Sequence, residues 1–190
     1  MKEHGKRIVI TCKIQLRRIR SIHRSLPMIT VIQLVNSFVI SRIDYCNSIL
    51  LGLPKYELDH LQSVLNVAAL LIYGCNRYNH TDLLCDRLHW LCVPQWITFK
   101  CCLLVYKSLH GLAPAYITSH CVKNSTIQRR SGLHSASRDD LVILATKTKF
   151  GERSFAVSRP SAWNTVRAAE STFIFKCKLK TYLFGLSYDT

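Results

Sequence analysis

The sequence predicts a mainly α protein with one small β element near residues 141–157, and three observations carry that expectation. Apolar residues recur at spacings of three and four from residue 8 to about residue 110, the mark of helices packed by one face. Gly and Pro punctuate those runs at Pro27, Gly52, Pro54, Gly74 and Gly111. One segment, LVILAT (Leu141–Thr146), instead has the β-branched content of a strand. With 190 residues, 48% of them apolar and 19% charged, the chain has a globular composition for one domain or two small ones sharing a core. It has no internal repeat, heptad run or low-complexity segment.

Residues 8–26 form the first expected helix. At about 100° per residue, Lys13, Arg17, Arg20 and Arg24 fall within roughly a 60° arc, and Cys12, Leu16, Ile19, Ile22 and Leu26 occupy a separate one. One face packs and the other presents a basic stripe with no acid at i±3 or i±4 to relieve it. Pro27 opens the next helix, whose buried stripe is expected to be Met28, Val31, Ile32, Val35, Phe38 and Val39. SRIDYCNSILLGLP then ends that element. Lys55–Tyr73 is a third helix, with Leu58, Leu61, Leu65, Ala68 and Ile72 on one face and Gly74 as its cap. Three helices joined by short turns make a small bundle.

The stretch from Asn79 to Pro114 is the most densely apolar. It reads as a short helix, a Trp90-bearing turn and a long helix closed by Gly111. Trp96, Phe99, Leu103 and Tyr106, with Ile97, Leu104 and Val105 beside them, make that helix apolar nearly all round and place it inside a bundle. Ala113–His120 is a short helix with Pro114 in its first turn. Residues 121–139 read as a polar loop carrying Lys123, Arg129, Arg130 and Arg138. Leu141–Thr146 is a strand and Arg153–Val157 a second one. Ser171 caps a final helix, Thr172–Phe184, with Phe175, Leu179 and Tyr182 inward and Lys176, Lys178 and Lys180 around its polar side.

The formal net charge of +15 is the strongest global signal. Residues 1–25 carry eight Lys/Arg against one acid, and residues 122–190 carry twelve against five. Residues 26–72 carry two against three, so two basic ends flank a near-neutral middle. That arrangement points to a polyanion, of which nucleic acid is the usual one, or to a basic solvated surface. MKEHGKRIVITCK lacks the apolar core of a secretory signal. Val64–Tyr73, interrupted by Asn66, is far short of the ~20 apolar residues of a membrane span. The expected location is intracellular, nuclear or cytoplasmic, with no membrane partner. The nine cysteines, odd in number and irregular in spacing, then read as reduced thiols, most of them small core hydrophobes.

Catalytic signals are sparse. Two-metal chemistry needs converging carboxylates, and the one adjacent pair, Asp139–Asp140, has Ser137 where a polymerase palm carries an aromatic. It reads as a loop-to-strand junction. Cys75, His80 and Cys85 have the spacing of the last three ligands of a zinc knuckle, but Ile72 occupies the first ligand's place; His89 or Cys92 are the substitutes on offer. Burial of the thiols is the competing reading. No phosphate-cradling Gly loop and no nucleophile elbow is present. No catalytic residue, metal or cofactor is expected.

SRIDYCNSILLGLPKYELDHLQSVLNVAALLI, YNHTDLLCDRLHWLCV and FKCCLLVYKSLHGLAPAYI resemble the C-terminal part of LINE-type, jockey-like non-LTR retrotransposon reverse transcriptases. FGERSFAVSRPSAWN, FKCKLKTYLF and the upstream CKIQLRRIRSI are similar to flanking parts of the same polyprotein. The resemblance spans Cys12 to Phe184 in several ordered blocks. It implies an N-terminal extension (1–11), a thumb-like three-helix bundle (12–74), a helical post-thumb region (75–184) and a tail (185–190). Fingers, palm and endonuclease are not represented, so the implied RNA-directed DNA polymerase activity has no catalytic aspartates here. The family's thumb holds the template–primer duplex, which makes Lys13, Arg17, Arg20 and Arg24 the expected backbone contacts to RNA or an RNA–DNA duplex. Departures from the family pattern are Asp82 and Cys92 in proline slots and a shortened run after Asn164, which should shift the final helix against its strands and loosen it. The alternative is a catalytically inert protein-interaction module domesticated from a mobile element; a zinc-dependent module is the third reading.

Overall fold

The computed structural model describes residues 2–75, 81–126, 140–165 and 172–188. It is mainly helical, and the chain divides into two compact units, Met1–Trp96 with Phe184–Thr190, and Ile97–Leu183. That division differs from the one implied at residue 74.

In the first unit, α1 (Lys2–Ile22) packs along α4 (Lys55–Ile72). Its expected apolar arc is buried at Cys12, Leu16 and Ile19. Burying each aliphatic side chain is worth roughly 1.5–3 kcal/mol, which is why this arc fixes the helix's rotation. Ile22 corrects the expected set: it is 49% exposed. It lies about 60° round from Ile19 at the helix's last turn, after which His23–Ser25 tightens into a 3₁₀ turn closed by Leu26 N–H on the His23 carbonyl at 3.2 Å. Residues 1–11, expected as an extension, are helical from Lys2, with Gly5 and Val9 buried.

Pro27 caps α2 (Met28–Val35), accepting from Thr30 and Val31 N–H. The helix then widens into a π turn, Asn36–Ile40, and narrows again into α3, Ser41–Asp44. Val31, Val35, Val39 and Ile43 are buried, a spacing of four throughout. In an unbroken α-helix that spacing drifts about 40° per step; a turn with i→i+5 bonding absorbs the drift. Phe38, expected inside, is therefore exposed; Met28, also expected inside, is exposed at the first turn of α2, and Ile32 is half-buried.

On α4, Leu61, Leu65, Ala68 and Ile72 are buried as expected and Leu58 is half-buried. Gly74 ends the helix at φ 63°, with Gly74 N–H on Leu71 O at 3.2 Å and Cys75 N–H on Leu70 O at 3.0 Å. That pair of bonds is a Schellman cap, which needs a residue in the left-handed region. α5 (Thr81–Arg87) ends the same way on a non-glycine: His89 has φ 52°, and Trp90 N–H reaches Cys85 O at 3.0 Å. Leu84 and Cys85 pack with Ala69 and Leu70, and Cys75, Trp90 and Tyr188 join them.

α6 (Val93–Leu109) is closed by Gly111 at φ 68°, with Leu112 N–H on Lys107 O at 2.8 Å. Its buried line is Val93, Ile97, Cys101 and Val105, with Cys102 and Tyr106 alongside. Of the expected stripe only Tyr106 is buried; Trp96, Phe99 and Leu103 are half-buried.

In the second unit, Pro114 caps α7 (Ala115–Thr118), shorter than the helix expected over 113–120. The β element is a correction. Among the described residues there is no strand, only an isolated antiparallel bridge between Lys123 and Leu141. Arg153–Val157 is not extended: α8 (Lys149–Glu152) leads into α9 (Phe155–Asn164), whose first turn rests on the Ser154 carbonyl accepting from Val157 and Ser158 N–H. The expected cap Ser171 and the basic residues Arg129, Arg130 and Arg138 lie outside the described residues.

The last helix, α10 (Thr172–Tyr188), runs past the expected end at Phe184, so the expected tail is helical to Tyr188. Phe175, Leu179 and Leu183 are buried, Tyr182 is 51% exposed, and Lys176, Lys178 and Lys180 are exposed. Leu183 takes the inward place assigned to Tyr182. Phe175 stacks on Tyr106 with centroids 4.5 Å apart and planes 14° from parallel, and Trp163 joins both rings. The shortened run after Asn164 lies mostly outside the described residues.

Candidate functional site

The basic stripe of α1 lines one wall of a groove. Lys13, Arg17 and Arg20, with Leu16 at the base, face Ser63, Asn66, Val67 and Leu70 of α4 across a volume of about 480 Å³. The periodicity that buries Cys12, Leu16 and Ile19 turns these cations to the edge of the helix contact, so all three are exposed. Arg24 is not part of the groove: it sits on the 3₁₀ turn beyond α1 and is exposed there. The structure thus assembles three of the four expected residues.

Among the described residues none of these four cations makes an ion pair, whereas Lys6 Nζ lies 3.4 Å from Glu3 Oε1 on the same helix. Three unneutralised charges at spacings of four and three repel one another, and an anion between them relieves that repulsion. The opposite wall is held by α4's own amides. Gln62 Nε2 donates to Asn66 Oδ1 at 2.9 Å, and Gln62 Oε1 accepts the Val93 N–H at 2.8 Å, satisfying an orphan donor in the first turn of α6. Ser63 Oγ donates to the His60 carbonyl at 2.7 Å. With its carbonyl engaged, Asn66 has its NH₂ left to offer as a donor. Ser63 and Asn66 were not singled out by the sequence, because polar residues inside an amphipathic helix look like its solvated side.

The metal candidate is not assembled by the described residues. Cys75 and Cys85 pack in the apolar cluster of Ala69, Leu70 and Leu84. Burial pushes the Cys85 thiol up to about 12, with Cys92 and Asp82 adding to it, and a metal ligand needs the thiolate. His80 lies outside the described residues, the His89 ring lies 5.8 Å from that of Phe184, and no three metal-ligating side chains gather among the residues described. Of the acidic pair, Asp139 lies outside the described residues and the Asp140 backbone carbonyl accepts from Asn124 N–H at 2.8 Å.

Buried Arg159 was also missed by the sequence. Its guanidinium lies 5.1 Å from the Phe155 ring centroid, Nη1 donates to Ser158 Oγ at 2.9 Å, and its charge acts on the Cys101 thiol.

No protein-family model matches the chain, and neither a curated protein nor a solved structure matches it. No described helix is long and apolar enough to cross a membrane.

Proposed function

We propose that this chain is a nucleic-acid-binding segment related to the thumb and post-thumb part of a non-LTR retrotransposon reverse transcriptase. It grips the phosphate backbone of RNA or an RNA–DNA duplex without performing catalysis. The observation that carries this reading is the convergence of Lys13, Arg17 and Arg20, none of them ion-paired among the described residues, on one groove whose other wall offers the NH₂ of Asn66. Contacts of this kind position a duplex and do not read its sequence. The sequence resemblance supplies the family half of the reading, and the groove supports the binding half.

The test is fluorescence anisotropy with an RNA–DNA duplex at several salt concentrations, comparing wild type with Lys13→Ala/Arg17→Ala/Arg20→Ala. Binding should weaken steeply with salt and fall in the triple variant whatever the duplex sequence. A triple variant that binds as wild type would reduce the stripe to a solvated face.

A protein-interaction module is the second reading, favoured by an apolar groove of about 430 Å³ that Val9 and Ile10 of α1 form with Tyr56 of α4. Salt-insensitive association with a protein, and no retention of duplex, would select it.

A further inference from the structure

A second basic groove flanks α1 on its other side, within the same compact unit. At about 100° per residue, His4, Arg7 and Thr11 centre well over 90° from Lys13, Arg17 and Arg20. With Ser41 and Arg42 of α3 and the Tyr45 that follows it, they line a volume of about 550 Å³ in which no acidic residue takes part.

The donors in this groove can be sorted. Thr11 Oγ1 donates to the Arg7 carbonyl at 2.8 Å and Ser41 Oγ to the Ser37 carbonyl, so both hydroxyl protons are spent within their own helices. What remains for a ligand is two exposed guanidiniums from different helices, neither in an ion pair among the described residues, with His4 beside them. Arg42 also lies near enough to Cys12 for its charge to oppose the burial that raises that thiol, which places it along the α1 flank. A planar guanidinium pair is suited to phosphate oxygens.

Tyr45 adds a different chemistry. It caps α3 in an extended conformation, φ −64° and ψ 118°, and Cys46 at φ 54° then turns the chain away. The ring is left 71% exposed at the lip of a basic groove. A free phosphate has no use for an aromatic wall, and the bases of a duplex are already stacked on one another. An unpaired base can stack on such a ring while its phosphate meets the cations.

We propose that the groove formed by Arg7, Arg42 and Tyr45 binds a nucleotide of a single-stranded nucleic acid, phosphate on the guanidiniums and base on the ring. This goes beyond duplex gripping by the α1–α4 groove and does not rest on it.

The experiment measures the anisotropy of a short labelled oligothymidylate and of an abasic oligomer of the same length and charge. The abasic oligomer should bind roughly tenfold more weakly. Tyr45→Ala and Arg42→Ala should each weaken oligothymidylate binding by roughly tenfold, and Tyr45→Phe should bind as wild type. The Lys13/Arg17/Arg20 triple alanine variant should keep the preference for bases over abasic sites. Equal binding of the two oligomers, or wild-type affinity in Tyr45→Ala, would overturn the proposal in favour of a site for phosphate alone. Loss of the base preference in the triple variant would overturn it by moving the site to the other groove. Both tested side chains are exposed, and an unchanged circular dichroism spectrum secures the comparison.

Discussion

The side-chain amide of Asn164 closes both backbone groups of Leu141: Nδ2 donates to the Leu141 carbonyl at 3.0 Å, and Oδ1 accepts from its N–H at 2.9 Å. On the other side, Asn124 N–H reaches Asp140 O and Val142 N–H reaches Val122 O, both at 2.8 Å. Among the described residues the apolar run that begins at Leu141 thus has one bridge and one side chain for partners, and no ladder extends along it. Asn164→Ala leaves two groups of a buried residue unpaired and should cost about 2 kcal/mol in urea unfolding. Asn164→Asp keeps the acceptor but sets a charged oxygen against the Leu141 carbonyl where Nδ2 donated, so it should be no milder. A neutral alanine substitution would mean that water serves Leu141 equally well.

Phe175 is fully buried against Tyr106 and Trp163. Phe175→Ala should destabilise the protein by about 3–5 kcal/mol, the range for removing a core aromatic ring. Lys178→Ala, on the exposed side of the same helix, should change stability by less than about 0.5 kcal/mol. Comparable midpoints for both variants would show that α10 contributes little to the fold.

At Gly74 the backbone occupies φ 63°, and an added Cβ would meet His23 Cε1 at 3.5 Å, an ordinary contact. Gly74→Ala should therefore cost about 1–2 kcal/mol through backbone conformation alone. Removing the neighbouring ring with His23→Ala should not rescue it, and rescue would assign the cost to crowding instead.

Burial pushes Cys12 and Cys101 up to about 11 and Cys85 and Cys102 up to about 12, from an ordinary 9.0. Between pH 9 and 12 the unfolded chain releases thiol protons that the folded chain retains, so stability is whole below that window and falls as pH rises through it. Alkaline unfolding should shift upward in pH when Cys85 or Cys102 is replaced by Ala, after correction for the cavity at neutral pH. At pH 8 a thiol reagent should label exposed Cys46 and Cys177 quickly and these four only on unfolding. Fast labelling of Cys102 in the folded protein would contradict its burial.

Each phosphate neutralised adds about 0.9 to the slope of log affinity against log salt concentration for a B-form duplex. If Lys13, Arg17 and Arg20 each meet a phosphate, their triple replacement should lower the slope by roughly 2–3. Arg24→Ala alone, off the groove, should leave the slope within about 0.5 of wild type. A slope that drops as much for Arg24 as for the three together would place the contact along the exposed stripe and not in the groove.

The helices of the first unit were legible because a 3.6-residue period leaves its mark wherever one face is buried. Cys12, Leu16, Ile19, Leu61, Leu65 and Ala68 follow it, and so do the cations they turn outward. Gly74 and Gly111 were legible as caps because few other residues reach their φ. His89 was not, since a histidine there hides the same turn. Residues 141–157 misled by composition: strand-like side chains do not make a strand when, among the described residues, the partners are one isolated bridge and an asparagine amide. The second basic groove was invisible because Arg7 and Arg42 lie 35 positions apart and only the fold brings them together.

The π turn at Asn36–Ile40 holds one residue more than an α-helix uses for the same rotation. Removing that residue, Ser37 for instance, would leave a regular α-helix and keep everything beyond it at nearly the same azimuth, because the wide turn already absorbs about 100°. Ile43 would stay on the core line of Val31 and Val35. An inserted residue would find no second wide turn to take it up, and would swing Arg42 and Tyr45 by about 100° off the flank they share with Arg7. The wide turn is thus a one-residue reserve of length, which tolerates a loss and not a gain.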